Sequence, residues 1–388
     1  MSRKTHISIP VPVRPRGQHN VLGLKAGPME SVRIGIVGLG IRGQQALQRL
    51  SRVPGASVDL LCDTDPSRLP DGVPSVTDWH AACRAPLDLI YICTDWSHHV
   101  PVALEAMDCG KHVAIEVPAA QELEQIWALV NKAEQTRLHC MMLENAVYDD
   151  FENTTRAMAE AGVFGELVHA EGAYLHRIDF AKEQWRIAYN RTQRGDIYPT
   201  HGFGPVCRAL GIHRQDRLAT LVSMDTAPFT GASLDSPFAN GDQTCTLLKT
   251  TGGRTVLLEH NIMTPRPYSR MYQLVGSRGY AAKYPVPQIC LLENGQEHLY
   301  QGEELEALMA PYRPAWLPPE LEAVARESDK HGGMDYIMDY RLVQALRSGA
   351  PLDMDVYDLA EWCAVAPLSR ISLEAGSQPV EFPDFTRP

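Results

Sequence analysis

Residues 33–43 read RIGIVGLGIRG, so an alternating apolar stretch runs directly into three glycines, Gly38, Gly40 and Gly43. This order predicts a β-strand, a tight turn and the beginning of a helix, with the GxGxxG spacing of a dinucleotide-binding fold. Gly38 permits the tight turn, Gly40 permits a pyrophosphate to approach the backbone, and Gly43 permits the helix to pack on the strand. The helix N-terminus adds unpaired N–H groups and a positive dipole end, which favour bound phosphates.

Asp63 ends the next apolar stretch, at the distance from the glycines where an acidic residue accepts hydrogen bonds from the adenosine ribose. A glycine turn between a strand and a helix also occurs for packing alone, but this strand, helix and acid together favour a nucleotide site. Thr64, and not an arginine, follows Asp63, so a 2′-phosphate would meet a carboxylate and no cation. We therefore expect NAD rather than NADP.

The length and composition of the chain limit the remaining possibilities. Its 388 residues exceed the roughly 250–300 at which a single core stops growing, so two domains are expected. The formal net charge of −11 argues against nucleic-acid binding, and no apolar run approaches the roughly 18 residues of a membrane span. The nine cysteines never take CxxC spacing, so we expect neither a zinc site nor a disulfide framework. With no secretion signal visible, we expect a cytoplasmic protein.

The first half of the chain alternates short apolar runs with helical patterns, which predicts βαβ units. The predicted strands are 33–37, 57–62, 87–93, 112–115 and 138–143, and a clear amphipathic helix is 121–135. Such units form a doubly wound parallel Rossmann sheet, with its ligand at the carboxyl ends of the strands. The motifs that begin at Cys93, Glu116 and Glu144 each follow one of these strands, so we expect them to meet in one crevice.

After Asp150 strand-like runs follow one another with few helices between them. These runs are 166–175, 217–224, 244–249, 255–261, 271–275 and 288–292, and helical periodicity returns at 321–329, 334–347 and 356–373. The pattern predicts an α+β domain with an open, largely antiparallel sheet. The expected divisions are an N-terminal extension at 1–30, a dinucleotide-binding domain at 31–150 and a second domain at 151–388. The last helices either cover the second sheet or pack back on the first domain.

Several longer strings resemble one enzyme family. They are MMLEN at 141–145, FGELVHAEGAYLH at 164–176, YPTHGFGP at 198–205, TPRPYSR at 264–270, HGGMDYIMDYRL at 331–342 and PLDMDVYDLAEW at 351–362. In order, they closely resemble glycoside hydrolase family 109, the NAD-dependent N-acetylgalactosaminidases, within the glucose-fructose oxidoreductase and inositol dehydrogenase superfamily. The resemblance covers residues 16–388. It implies a carbohydrate substrate with a terminal N-acetylhexosamine, NAD as cofactor and a homo-oligomer, because superfamily members commonly dimerise through the open sheet.

The string Glu116-Val117-Pro118 distinguishes two branches of that superfamily. Its dehydrogenases usually have lysine between glutamate and proline, where the lysine helps to remove a hydroxyl proton. Valine cannot move a proton, and the glycosidase family resembles this chain in having valine there. A second difference from the family is Asp95 before Trp96, where proline is expected; we expect it to change the rigidity of that loop.

The resemblance also implies the residues of the two binding sites. With the three glycines of the loop, the cofactor set is Gly38, Gly40, Ile41, Arg42, Gly43, Asp63, Trp96, Ser97, His98, His99, Glu116, Val117 and Asn145. The implied substrate set is Tyr174, Arg186, Tyr198, Pro199, Thr200, His201 and Tyr268. We add His176, because it lies two residues after Tyr174 and so on the same strand face. His98 and His99 lack partners at metal-ligand spacing, and no metal is expected.

Tyr198 and His201 are the candidate catalytic residues. Histidine titrates near neutrality and suits deprotonation at sugar C2 or protonation of the leaving group. A tyrosine phenol ordinarily ionises near pH 10 and needs a neighbouring positive charge to act as a base. Ordinary structural roles stay open for other members of the set. Tyr174 and Tyr268 fit as sheet residues, Arg186 beside Trp185 fits as a cation–aromatic pair, and Trp96 fits as part of the crevice wall.

We hypothesise glycoside cleavage by transient oxidation. Hydride would pass from C3 of an N-acetylhexosamine to NAD, the ketone would acidify the C2 proton, elimination would expel the aglycone, and water addition and hydride return would complete the cycle. This route differs from the paired-carboxylate mechanism of most glycosidases. The alternatives are an NAD-dependent sugar or polyol dehydrogenase without glycosidic cleavage, and an inactive sugar or NAD sensor. The residues leave open the anomer cleaved, the galacto or gluco preference, the natural glycan and the oligomer size.

Overall fold

A computed structural model of the chain describes residues 6–178, 184–231 and 238–387, without the side chains of 184–186. The strands are β1 (Val32–Val37), β2 (Ala56–Cys62), β3 (Ser75–Val76), β4 (Leu89–Ile92), β5 (His112–Ile115), β6 (Cys140–Met142), β7 (Leu167–Leu175), β8 (Leu218–Asp225), β9 (Thr244–Thr250), β10 (Thr255–Asn261), β11 (Gln273–Gly276), β12 (Gly279–Ala282), β13 (Gln288–Glu293), β14 (Gln296–Tyr300) and β15 (Val380–Glu381). The α-helices are α1 (Ile41–Leu50), α2 (Trp79–Arg84), α3 (Trp96–Asp108), α4 (Leu123–Thr136), α5 (Asp150–Glu160), α6 (Gln184–Thr192), α7 (Thr200–Leu210), α8 (Gly302–Met309), α9 (Pro319–Ser328), α10 (Met334–Ser348) and α11 (Val356–Glu374).

The chain divides into two compact units. Among the described residues, the parallel-sheet unit comprises 12–148, 315–361 and 385–387, and the antiparallel-sheet unit comprises 6–11, 149–178, 184–231, 238–314 and 362–384. Residues 315–361 group with the first sheet, which is one of the two placements that the sequence left open for the last helices. Helical periodicity shows that a helix has an apolar face, but it does not show which sheet that face covers.

The parallel-sheet unit contains six strands in the order β3-β2-β1-β4-β5-β6. Each adjacent pair is parallel, and apolar side chains such as Ile34, Ile36 and Ile90 are fully buried. The strand order reverses at the β1/β4 junction, which is the point where ligands of doubly wound sheets bind. The predicted Rossmann sheet is therefore confirmed, with β3 as an additional short strand.

The antiparallel-sheet unit contains nine strands in the order β14-β13-β12-β11-β7-β10-β9-β8-β15. The pair β7–β10 is parallel and the other pairs are antiparallel. Alternation along β10 buries Val256, Leu258 and His260 and leaves Leu257 and Glu259 partly accessible. This alternation confirms the predicted α+β domain with a largely antiparallel sheet. Within the described ranges, no helix has the length and apolar character needed to cross a membrane.

Candidate functional site

The glycine loop between β1 and α1 has the geometry that a bound pyrophosphate requires. Gly38 has φ of +93°, and a Cβ there would overlap the backbone of Cys93. A Cβ at Gly43 would overlap the carbonyl oxygen of Gly38. Gly40 is different, because its φ of −64° suits any residue and a Cβ there would meet none of the described atoms within 4 Å. Packing therefore explains Gly38 and Gly43 but not Gly40, and we propose that Gly40 leaves room for the close approach of a phosphate.

Asp63 lies at the end of β2, beside the glycine loop. Its Oδ2 accepts a hydrogen bond from the Leu39 N–H at 2.6 Å, and its Oδ1 accepts one from the Asp65 N–H at 2.9 Å. The expectation that no cation lies near this carboxylate is wrong, because Arg68 Nη1 is 3.7 Å from Asp63 Oδ2. A 3-10 turn at Pro66–Arg68 folds the chain back and returns Arg68 to the acid. The carboxylate keeps acceptor capacity for ribose hydroxyls, since a carboxylate has about four lone-pair sites.

Asp95 begins the loop after β4 as the N-cap of α3. Its carboxylate accepts hydrogen bonds from the Ser97 N–H at 3.0 Å and contacts His98 Nδ1 at 2.8 Å. The aspartate in place of the expected proline therefore fixes the loop by capping the helix. Trp96 is buried at the first position of α3, whereas Ser97 and His98 are exposed.

His99 is buried behind this loop. Its Nδ1 lies 3.0 Å from the carbonyl oxygen of Pro118, and its Nε2 lies 3.0 Å from that of Thr94. Burial lowers the pKa of His99, and the two carbonyl contacts act in the opposite direction. Because both ring nitrogens contact backbone, we propose that His99 holds the loop that carries Val117 instead of contacting the cofactor through its nitrogens.

The motifs after β1, β5 and β6 meet around one arginine. Arg42, in the first turn of α1, donates from Nε to Glu116 Oε1 at 2.9 Å and from Nη2 to Asp335 Oδ1 at 3.0 Å. Asn145 Nδ2 donates to the same Asp335 oxygen at 2.9 Å. Val117 is buried beside Glu116 and brings no ionisable group. Asp335 was missed in the sequence, where nothing near it in the chain indicates these partners.

Close backbone packing brings the YPTH motif to β7. A Cβ at Gly202 would overlap the backbone of Ala173, and a Cβ at Gly172 would overlap that of Gly202. These glycines let α7 lie directly on β7. Thr200 and His201 are the first two residues of α7, and Pro199 is its N-cap, so the helix presents the motif next to Tyr174.

An aromatic cluster surrounds Tyr174. Its ring lies 4.5 Å from that of Tyr198, 4.8 Å from His176 and 5.5 Å from His201, measured between centroids. Tyr198 Oη and His201 Nε2 are 3.4 Å apart. The structure therefore brings together four residues that were predicted from two separate motifs, and it joins the phenol and the imidazole by a hydrogen bond. A proton can pass along such a contact.

The cluster extends to two further side chains. Tyr268, which is partly exposed, lies 5.3 Å from the His176 ring and 6.3 Å from the Tyr174 ring. His260 was missed, although it stands opposite Tyr174 in the β7–β10 register, with its ring 6.5 Å away. The available signal was the alternation of β10, which places a histidine on an apolar face. Arg186 lies in α6, and its side chain falls outside the described residues.

Arg270 connects the Tyr268 hydroxyl to two acidic side chains. Its Nη1 donates to Tyr268 Oη at 3.3 Å, and its Nη2 donates to Glu152 at 2.6 Å and to Asp149 at 3.0 Å. Desolvation raises the pKa of the Tyr268 phenol, and the positive charge of Arg270 opposes this rise. Burial also raises the pKa of Glu152 to about 7, against the attraction of Arg270. Arg270 therefore fixes the Tyr268 hydroxyl and limits the rise of its pKa, but it does not lower that pKa below the ordinary value.

The comparisons with known proteins agree with both halves of this description. A model described as the C-terminal domain of glycosyl hydrolase 109 matches residues 152–388. The chain belongs to glycosyl hydrolase family 109. A second model, described as an oxidoreductase family with an NAD-binding Rossmann fold, matches residues 32–144. The chain is therefore a family 109 enzyme with an NAD-binding domain, and together these findings support an NAD-dependent glycosidase.

Individual relatives cover nearly the whole chain. Glycosyl hydrolase family 109 protein 1 of Bacteroides thetaiotaomicron is 48% identical, over 98% of this chain and 90% of its own length. The family 109 protein of Porphyromonas gingivalis is also 48% identical with the same coverage. Among solved structures, levoglucosan dehydrogenase in complex with NADH and L-sorbose has a TM-score of 0.74 at 16% identity, covering 92% of this chain and 100% of that one. The similarity to this solved structure concerns the fold alone.

Proposed function

We propose that this family 109 enzyme is an N-acetylgalactosaminidase of the α-N-acetylgalactosaminidase type, which removes a terminal N-acetylhexosamine by NAD-dependent oxidation, elimination, addition and reduction. The family motifs support the substrate class. The observation that carries the mechanism is the Tyr198–His201 pair, with 3.4 Å between Oη and Nε2, inside the aromatic cluster around Tyr174. Such a cluster suits a sugar, because apolar ring faces surround a few polar groups that fix its orientation.

The cofactor half fits NAD. The open space above Gly40 suits a pyrophosphate, and the spare acceptor capacity of Asp63 suits ribose hydroxyls. We propose that the remaining cofactor contacts come from Ile41, Arg42, Glu116 and Asn145, at the carboxyl ends of the parallel strands, and from the Trp96–His98 segment. When bound, NAD supplies a reversible oxidation at C3 of the sugar.

The chain's own residues move protons at C2 and at the glycosidic oxygen. We propose that the proton of the C3 hydroxyl passes through the Tyr198–His201 pair to solvent as C3 is oxidised. The C2 proton is then acidic, and the pair accepts it while the C1–O bond breaks and passes it to the departing glycosidic oxygen. After water has added at C1 and given a proton to the pair, that proton is returned to C2, and a proton from solvent returns to O3 when C3 is reduced. We propose that Tyr268, held by Arg270, and Tyr174 orient the ring, and that Thr200, Pro199, His176 and Arg186 complete the substrate site. Positioned acid–base groups of this kind typically contribute about 10²- to 10⁴-fold in rate.

Val117 favours this reaction over a simple dehydrogenation, because dehydrogenases of the superfamily usually have lysine at this position and the glycosidase family resembles this chain in having valine. Both reactions must remove the proton of the oxidised hydroxyl, and the buried valine offers no acceptor for it at that loop. The cluster of tyrosine and histidine in the antiparallel-sheet unit is therefore the proposed source of all acid–base catalysis. A dehydrogenase remains the competing function that the experiment must exclude.

The test is incubation of the purified enzyme with a chromogenic α-N-acetylgalactosaminide, without added cofactor, in D₂O. We expect aglycone release, no net accumulation of NADH, and deuterium at C2 of the released sugar. Direct displacement at C1 gives no deuterium at C2. Net NADH formation from free sugars without aglycone release would instead establish a dehydrogenase.

Two variants separate the catalytic pair from general damage. His201→Asn and Tyr198→Phe are expected to lower kcat by about 100-fold or more while leaving NADH binding intact. His298→Asn is the matched control, because His298 also contacts a tyrosine, Tyr300, with 4.3 Å between ring centroids, but on the edge strand β14. Unchanged turnover in His201→Asn would contradict the assignment.

We also propose that the enzyme is a homo-oligomer that associates through one face of the nine-stranded sheet. Val222, Leu247 and Leu257 stand opposite one another in register on that face. Leu247 is 46% exposed and nearby Met224 is 65% exposed. An apolar surface of this kind is typical of protein contact sites. Light scattering on the eluted protein is expected to give at least twice the 43.0 kDa chain mass; a monomer mass would contradict the proposal.

A further inference from the structure

A single carboxylate organises the residues of the cofactor half. Asp335 lies in the first turn of α10 and is 1% exposed. Its Oδ1 accepts hydrogen bonds from Arg42 Nη2 at 3.0 Å and from Asn145 Nδ2 at 2.9 Å. Its Oδ2 accepts from Arg42 Nη1 at 3.3 Å and contacts His331 Nδ1 at 2.8 Å. Both oxygens are therefore engaged, and Arg42 is held in a bidentate fork.

These contacts fix three of the proposed cofactor residues at once. Asp335 accepts from the two Nη atoms and Glu116 accepts from Nε, so carboxylates hold the Arg42 guanidinium through all three of its nitrogens. Because the Asn145 Nδ2–H donates a hydrogen bond to Asp335, the side-chain amide is held in one orientation, with its Oδ1 pointing away from that carboxylate. Arg42, Glu116 and Asn145 follow three different strands of the parallel sheet, and they share one anchor.

The charge of Asp335 is stable in this environment. Burial alone would raise its pKa, but the His331 hydrogen bond and the positive charges of Arg42 and Arg49 outweigh burial and hold the pKa well below its usual range. Asp329 and His331 also lie close enough to Asp335 to suggest three metal ligands. Arg42, Asn145 and His331 already engage both oxygens of the carboxylate, so we favour the arginine anchor over a cation site.

We infer that Asp335 is a positioning residue of the NAD site, which acts by holding Arg42 and Asn145, and through Arg42 also Glu116, in the orientation that binds the cofactor. The inference rests on the proposed assignment of these three residues to the cofactor. It does not rest on the glycosidase reaction, because its measurement is dinucleotide binding.

The experiment compares Asp335→Asn with Asp339→Asn. Asp339 lies one turn later on α10, is 0% exposed and accepts hydrogen bonds from Arg49 Nε at 2.8 Å and Tyr91 Oη at 2.7 Å. It is thus an equally buried, arginine-paired carboxylate, and within the described part of the chain its hydrogen bonds go to none of the proposed cofactor residues, although its partner Arg49 also lies 3.9 Å from Asp335. The readouts are the NAD content of each purified protein, the Kd for NADH from fluorescence titration after the bound dinucleotide is dialysed away, and Tm.

We expect Asp335→Asn to weaken NADH binding by about tenfold, which is typical of losing a charge-assisted hydrogen bond, and Asp339→Asn to change Kd by less than twofold. Both variants are expected to lower Tm. Equal losses of affinity in the two variants, or unchanged affinity in Asp335→Asn, would overturn the inference. If Asp335→Asn fails to fold, Asp335→Glu replaces it, because the glutamate keeps the charge but displaces the carboxylate by one methylene.

A double variant tests the route of the effect. If Asp335 acts through Asn145, the Kd for NADH of the double variant D335N/N145S should be no higher than the higher of the two Kd values of the single variants. Additive losses would show that the two residues act independently and would overturn that part of the inference. A wild-type protein that binds NADH but releases no aglycone would refute the proposed reaction and leave this comparison intact.

Discussion

Asp196 makes the stability of the protein depend on pH in an unusual direction. It precedes the YPTH motif and is 1% exposed. Its carboxyl group accepts a hydrogen bond from the Tyr198 N–H, while Oδ1 finds no hydrogen-bond partner among the described residues. Burial raises its pKa from 3.8 to about 7, against that hydrogen bond. Replacing Asp196 by asparagine keeps the shape and removes the titration.

The sign follows from proton uptake. Between pH 4 and pH 7 the folded protein holds a proton on Asp196 that the unfolded chain has released, so the free energy of unfolding falls as pH rises through this window and levels off above it. A rise in pKa from 3.8 to about 7 corresponds to about 4 kcal/mol. Asparagine avoids this penalty at pH 8 but buries an amide, which costs about 1–3 kcal/mol if it is unpaired.

The assay is urea unfolding of the wild type and Asp196→Asn, both freed of dinucleotide, at intervals from pH 5 to pH 8. We expect the free energy of unfolding of the variant to gain on that of the wild type by about 2.5–3 kcal/mol across this interval, because only about two pH units of it lie below the folded pKa of about 7. Two curves that stay parallel over the whole interval would refute the reasoning, because they would show that the carboxyl group is already ionised at pH 5.

Asp216 is the matched control, since its pKa is displaced in the opposite direction. Burial acts to raise that pKa, but hydrogen bonds outweigh it and hold the pKa at about 2. The donors are Thr250 Oγ1, Thr251 Oγ1, the Gly252 N–H, the Arg217 N–H and Arg254 Nη1. Its contribution to stability is complete above pH 4 and is lost as pH falls towards 2. Asp216→Asn should therefore lower stability by a constant amount between pH 5 and pH 8.

Two further predictions concern the parallel-sheet unit. Gly43→Ala should unfold at lower urea or lose NAD, because its Cβ would overlap Gly38; Gly40→Ala should keep its Tm but weaken NADH binding, and a normal Kd there would contradict the pyrophosphate assignment. Glu134 is buried and ion-paired with Arg14 and Arg387. Its replacement by alanine should lower the free energy of unfolding by about 3–5 kcal/mol. The control is the exposed Glu160 of the Arg156–Glu160 pair, at the end of α5 in the antiparallel-sheet unit. Its replacement by alanine should lower the free energy of unfolding by less than about 1 kcal/mol in the same urea assay.

Most of the fold was predictable because its signals are local. The strand β10 matches the predicted 255–261 in full, and β5 matches 112–115. The strand β12 was missed because its sequence, GYAA, has little intrinsic preference for a strand. It forms because β11 and β13 pair with it on both sides.

In the candidate site, too, the residues of local motifs were predictable and their distant partners were not. Tyr198 and His201 could be selected together from the sequence because they belong to one four-residue motif, although the helix α7 that begins at Thr200 was not predicted. Asp335 and Asn145 are 190 residues apart, and Arg270 and Glu152 are 118 apart. No periodicity or motif connects such pairs, so the groups that support the predicted residues emerge only from tertiary structure. Arg68 shows the same limit, because a turn returned it to Asp63.

The proposed cofactor site and the proposed substrate site differ in the kind of ionisable group that they contain. In the cofactor half, Arg42 stays protonated because Glu116 and Asp335 outweigh the cost of its burial and hold its pKa well above the ordinary value. A group so firmly charged orients a ligand but cannot exchange a proton during turnover. The proposed substrate site instead gathers tyrosines and histidines, whose hydroxyl and imidazole groups can both donate and accept hydrogen bonds. The reaction that we propose takes a proton from carbon C2 as well as from the oxidised hydroxyl, and for this reason we propose that it depends on the Tyr198–His201 pair and not on the loop that carries Val117.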